Sequence, residues 1–207
     1  MKILVSVFNN LYTDQRVEKF CKTLHENAYQ IEVIGNNWGG NPEMKRPYPF
    51  SRISLQSKKL RFAYLEFQWK LFFELLKKAD RNTILHANDL DALLPNYLVS
   101  KIKGIPLVWD SHEIFTEMPT VTNRWVQHVW RLLENALIRK IKYFITANDS
   151  YANWFETNYK IKRPIVIRNF PQKSESPKNF VENHPKIILY QGTINYSRGI
   201  DKMIEAL

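Results

Sequence analysis

The chain has 207 residues, 44% hydrophobic and 24% charged, with a formal net charge of +10, a balance that excludes a disordered or collagen-like chain and suits one full domain plus part of another. Its single cysteine, Cys21, cannot pair within the chain, which points to a reducing compartment and hence the cytoplasm. No stretch approaches the roughly 20 apolar residues of a spanning helix, and the opening MKILVSVFNN lacks the small-residue cleavage site of a signal peptide.

In chain order, KILVSVF (2–8) reads as a buried strand and 13–28 as a helix, with Thr13 as N-cap and Val17, Phe20, Cys21 and Leu24 on one face. IEVIG (31–35) is a second strand, NNWGGNPEMKRPYPFS a Gly/Pro-rich loop, RISL (52–55) a third strand, and 58–79 a long helix. Strands at 83–87, 105–110, 143–147 and 164–169 alternate with helices at 91–103, 124–142 and 149–159. Short, continuously apolar strands separated by helices predict an α/β fold: a Rossmann-like open parallel sheet with helices on both faces. The predicted organisation is a first domain over 1–170, a polar linker over 171–185 with three prolines between Pro171 and Pro185, and the first strand and helix of a second domain over 186–207. The chain stops inside an apolar-periodic helix without a cap, so a fragment is expected.

Polar residues follow every strand: Asn9 and Asn10; Gly35, Asn36 and Asn37; His86, Asn88 and Asp89; Asp110, Ser111, His112 and Glu113; Asn148, Asp149 and Ser150; Asn169. In an open parallel sheet these ends share one edge, and ligands bind in the crevice outside it. Helix capping accounts fully for Asp149 and Ser150 and is the first reading of Asn88 and Asp89, as turn formation is for Asn36 and Asn37 and core packing for His86. His112 resists such explanations. The segment HEIFTEMPT is no clean helix start, and two carboxylates flank an imidazole that titrates near neutrality. His86, Asp110, His112 and Glu113 match no standard zinc spacing, so no metal site is expected.

Five segments in order, DQRVEKFCKTL (14–24), HANDLDALLP (86–95), LVWDSHEIFTE (107–117), VIRNFP (166–171) and ILYQGTINYSRGIDKMIEAL (188–207), resemble glycosyltransferase family 4, in its bacterial surface-polysaccharide branch. The resemblance implies a GT-B fold, in which an N-terminal domain binds the acceptor and a C-terminal domain binds a nucleotide-sugar donor. It implies retention of anomeric configuration and neither cofactor nor metal. It assigns His112 to the transferred sugar as the catalytic candidate. Asp110 and Glu113 are taken as positioning groups, and Asn9, Asn10, Asp14 and His86 as further substrate-side residues. Arg198 and Gly199, with Gly192, are assigned to the donor diphosphate. Two departures stand out: NNLYTD replaces the glycine-rich loop usual after the first strand, and Thr193 stands where many relatives carry a second basic residue. The fragment alone is expected to be inactive.

The segments 58–81 and 123–142 mix lysines and arginines with aromatics. Sheet packing accounts for Leu65, Phe72, Leu75 and Leu76, with the basic residues as a solvated rim. The same pattern fits an interfacial helix on an anionic membrane surface, which would place the protein on the inner face of the cytoplasmic membrane. Nucleic acid is disfavoured as a partner, since neither a recognition helix nor an aromatic RNP-type sheet is present. The alternatives are a nucleotide-sugar epimerase of similar fold and a non-catalytic binding module.

Overall fold

The computed structural model describes residues 1–38, 40, 42–119, 121–170, 187–190 and 199–206. By internal contacts the chain divides into two units, Met1–Asn169 and Phe170–Leu207.

The first unit is built on seven parallel strands: β1 (Lys2–Asn10), β2 (Gln30–Asn36), β3 (Phe50–Ile53), β4 (Thr83–Asn88), β5 (Leu107–Ser111), β6 (Tyr143–Thr146) and β7 (Ile165–Val166). Their order is β3-β2-β1-β4-β5-β6-β7. The expected Rossmann-like parallel sheet is therefore present, and its strand order reverses between β1 and β4. The helices are α1 (Gln15–Glu26), α2 (Leu60–Lys78), α3 (Asp89–Lys103), α4 (Trp125–Leu137) and α5 (Asp149–Tyr159). In the second unit α6 spans Ile200–Glu205.

Alternation along β1 creates two cores. Ile3, Val5 and Val7 join Val17 and Cys21 of α1, whereas Leu4 and Phe8 join a larger cluster with Phe67, Leu71 and Leu75 of α2 and Leu90, Leu93 and Val99 of α3. Trp109 of β5 stacks on Phe144 of β6 at 4.3 Å, and Phe155 of α5 meets both rings.

Several local expectations change. Asp14, not Thr13, caps α1: its Oδ1 accepts from Val17 N at 3.0 Å. The cap of α5 is Asn148, and Asp149 pairs with Arg163 and Arg168 instead. The last strand has two residues where the apolar run 164–169 suggested six. Leu65 is 65% exposed and does not face the sheet, because the inward stripe of α2 runs Ala63–Phe67–Leu71–Leu75. Trp69 stands out beside it, 67% exposed. On α4 two polar residues, Gln127 and Glu134, share the buried face with Trp130 and Leu137, while Trp125, Val129 and Leu132 face solvent, Leu132 at 73%. No helix among the described residues is long and apolar enough to cross a membrane.

The loop NNLYTD does without glycine because the close approach is made from β2. A Cβ on Gly35 would lie 2.5 Å from Leu11 Cγ and 3.1 Å from the Asn9 carbonyl oxygen. Leu11 is thus seated directly on the bare backbone of Gly35.

Candidate active site

The polar ends of β1, β4 and β5 meet where the strand order reverses, the position at which doubly wound sheets bind ligands. Register pairs Asn88 of β4 with Asp110 of β5, which sets the residues after each strand side by side. His112, just beyond β5, lies between two carboxylates. Its Nδ1 is 3.4 Å from Asp89 Oδ2 and its Nε2 is 3.5 Å from Asp110 Oδ2. The second separation is too long and misaligned for a formed hydrogen bond, so its attraction is mainly charge to charge. The His112 amide donates to Asp89 Oδ1 at 2.8 Å, fixing the backbone as well as the ring. The imidazole keeps 14% of its side-chain surface open to solvent, while the Asp110 side chain keeps 1%.

Electrostatics assign different states to these groups. Burial alone would depress the His112 pKa, but Asp89 and Asp110 outweigh it and raise the value above that of a free histidine. Burial would raise Asp110; His112, His86 and Arg16 together hold it down at about 2, so it is a carboxylate. Burial pushes Asp89 up to about 6 against the pull of His112. Its neighbour Asp91 is raised further by burial and by the charge of Asp89, and its Oδ1 has no hydrogen-bond partner among the described residues. Asp89 also adopts φ 59°, a left-handed conformation that Asp tolerates better than most residues and that clusters at functional sites.

Two participants escaped the sequence reading. Helix capping alone does not account for Asp89, which binds His112. Asn88 makes no side-chain cap either: its Nδ2 donates to the Ser6 carbonyl at 3.1 Å. Arg16, on α1, places Nη2 2.7 Å from Asp110 Oδ1 and Nη1 2.8 Å from the Ile167 carbonyl oxygen. Its position early in an amphipathic helix carried no signal, since only the fold brings it to residue 110.

The remaining candidates are spread around this centre. His86 is buried, stacked on Phe20 at 4.4 Å, and its pKa is driven down to about 4, chiefly by burial. Asn9 Nδ2 donates to Asp14 Oδ2 at 2.8 Å, and Asn10 Nδ2 to the Gly40 carbonyl at 3.1 Å, so these three shape the β1–α1 loop. Glu113 is exposed, and its carboxylate enters no ion pair among the described residues. Gly192 and Arg198 lie outside the described residues, and of the strand expected at 186–192 the described residues 187–190 form no strand. Gly199 is described, with φ 66° at the start of α6. Among the described residues no group of three or more His, Cys, Asp or Glu side chains is set to hold a metal ion.

The sequence pattern of Glycosyltransferase Family 4 matches residues 14–170. The chain belongs to glycosyltransferase family 4. No curated protein matches it in sequence. Among solved structures it is similar to sucrose-phosphate synthase from Thermosynechococcus elongatus, with TM-score 0.57 and 10% identity over 81% of this chain and 47% of that one. It is also similar to Os79 from O. sativa in complex with UDP, with TM-score 0.54 and 11% identity over 78% and 51%. The UDP-GlcNAc 2-epimerase from Methanocaldococcus jannaschii gives TM-score 0.50 and 12% identity over 81% and 45%. This family 4 chain thus spans about half the length of these relatives. At such identities the likeness establishes the GT-B type of fold and nothing about substrate.

Proposed function

We propose that the chain is the acceptor-binding half of a retaining glycosyltransferase that moves a sugar from a nucleotide-sugar donor to a glycan or lipid-linked glycan, without a metal ion. The observation that carries this reading is the imidazole of His112, held between Asp89 and Asp110 at the reversal of the sheet. When protonated, the ring offers an N–H to a sugar hydroxyl or to the oxygen on which negative charge grows as the donor bond breaks. Asp89, with its carboxyl pushed up to about 6, can bond a sugar hydroxyl as acceptor or donor near neutral pH. Asp110 orients the ring, and Asn9, Asn10, Asp14 and Glu113 border the acceptor side. Arg198, with Gly192 and Gly199, would neutralise the departing diphosphate. Transfer to a lipid-linked acceptor would bring the protein to the inner face of the cytoplasmic membrane.

The test uses the full-length protein with a panel of nucleotide-sugars and glycan acceptors, reading the anomeric configuration of the product by NMR. Retention of configuration is expected, with turnover lowered by at least about a hundredfold in His112→Ala under conditions where circular dichroism shows the variant folded. Release of an altered free sugar nucleotide without an acceptor would make the protein an epimerase. Absence of any donor turnover would make it a binding module.

A further inference from the structure

Beside the His112 cluster a cleft of about 480 Å³ opens between the first turns of α2 and α4. Its apolar walls include Leu60, Tyr64, Phe115, Val126 and Trp130. Tyr64 ties the cleft to the candidate active site. Its ring packs on Phe8 near the end of β1 at 4.2 Å, and its phenol is raised by burial and then by the carboxylates Asp91 and Asp89. Arg61 and Arg124 also line the cleft, and both are exposed. Among the described residues neither guanidinium enters an ion pair; that of Arg61 lies over the Phe62 ring at 4.8 Å.

The chemistry is that of an amphiphile site. The cleft is large enough for a small ligand. Aromatic and aliphatic walls favour an apolar chain, and two arginines without an ion pair among the described residues add positive charge that favours an anionic head group such as phosphate. A water-soluble glycan offers neither feature, and a nucleic acid offers phosphate but no apolar chain. Beyond the cleft lining, Phe62, Leu65 and Trp69 on α2 and Val129 and Leu132 on α4 are further exposed apolar side chains of the same two helices. Such a surface suits the region where a lipid leaves a bilayer.

We propose that this cleft is the acceptor's lipid subsite: it takes the phosphate-proximal end of a single long apolar chain, and Arg61 and Arg124 hold the phosphate. The proposal rests on the glycosyl-transfer reading above and names the acceptor class that reading left open.

Dodecyl phosphate, titrated below its micelle concentration, tests it through the fluorescence of Trp125 and Trp130 at the cleft. A saturable change is expected, at least tenfold weaker with dodecyl maltoside and absent with inorganic phosphate. The double substitution Arg61→Ala, Arg124→Ala should weaken dodecyl phosphate binding at least tenfold. Both residues are exposed, and an unchanged melting temperature confirms that the variant folds. An equal response to dodecyl maltoside would reduce the cleft to a detergent-binding surface. Saturation by inorganic phosphate alone would make it a bare anion site. Undiminished binding by the double variant would place the phosphate elsewhere, and each of these three results overturns the proposal. Binding is read without any sugar transfer. Failure here therefore leaves transfer to a soluble glycan standing, whereas failure of transfer leaves a lipid-phosphate cleft and removes its role as an acceptor subsite.

Discussion

His112 is held by opposed charges, and its titration is the most direct readout of that arrangement. Its pKa is raised in the folded state, so the stabilisation it gains from Asp89 and Asp110 is full below the unfolded value near 6.5 and is lost as pH rises through the folded value. An NMR pH titration of the His112 ring should therefore give a midpoint above that of a free histidine. Asp110→Asn should lower it, because the substitution removes one of the two flanking charges while keeping an acceptor for Arg16. An unmoved midpoint would mean that Asp110 serves Arg16 alone. His86, only a strand away, behaves in the opposite sense: burial drives it to about 4, so below pH 6.5 it opposes folding by a growing amount as the pH falls. At this scale His112, Asp110 and His86 were legible as polar groups ending apolar strands. Asp89 was not, since an Asp opening a helix has an ordinary explanation in capping and only its left-handed backbone and the His112 amide reveal its use.

Elements are positioned by a few unusual contacts rather than by propensity. Gly35 admits Leu11 against the backbone of β2, and the loop carrying Asn9 and Asn10 follows from that seat. Gly35→Ala should destabilise the fold by about 1–3 kcal/mol through overpacking and displace the amide resonances of residues 9–14. Helix α4 depends on a buried acid. Glu134 accepts hydrogen bonds from Tyr159 and Thr116, its Oε1 has no partner among the described residues, and burial pushes its pKa up to about 7. A carboxyl whose pKa is raised on folding binds its proton more tightly in the native state, so stability falls as pH rises from about 4.5 to about 7. Glu134→Gln should flatten that limb of the melting-temperature profile, and a retained slope would assign it to another group. The helices themselves were legible from apolar periodicity. Their facing was not: α4 turns Gln127 and Glu134 inward and Leu132 outward, because hydrogen bonds to Thr116 and Tyr159 outweigh the apolar pattern there.

For the molecule as a whole, the alternation of apolar strands and helices conveyed the parallel sheet, and polar strand ends marked its working edge. Strand order, and with it the meeting of residues 16, 89 and 110, required the three-dimensional structure, because the Arg16–Asp110 contact spans 94 residues. Arg16 shows what depends on that order. Removing its guanidinium in Arg16→Met leaves the Asp110 carboxylate buried with His112 as its only cationic partner among the described ion pairs, which should cost about 3 kcal/mol by chemical denaturation. The same guanidinium also grips the Ile167 carbonyl, and Lys19, one turn further along α1, reaches Asn169 Oδ1 at 3.1 Å. The two-residue strand β7 is thus moored to the unit by cationic side chains of α1 as well as by its ladder. A single arginine joins the last strand to the carboxylate beside His112, so the place where the chain leaves the sheet and the imidazole share one ion pair.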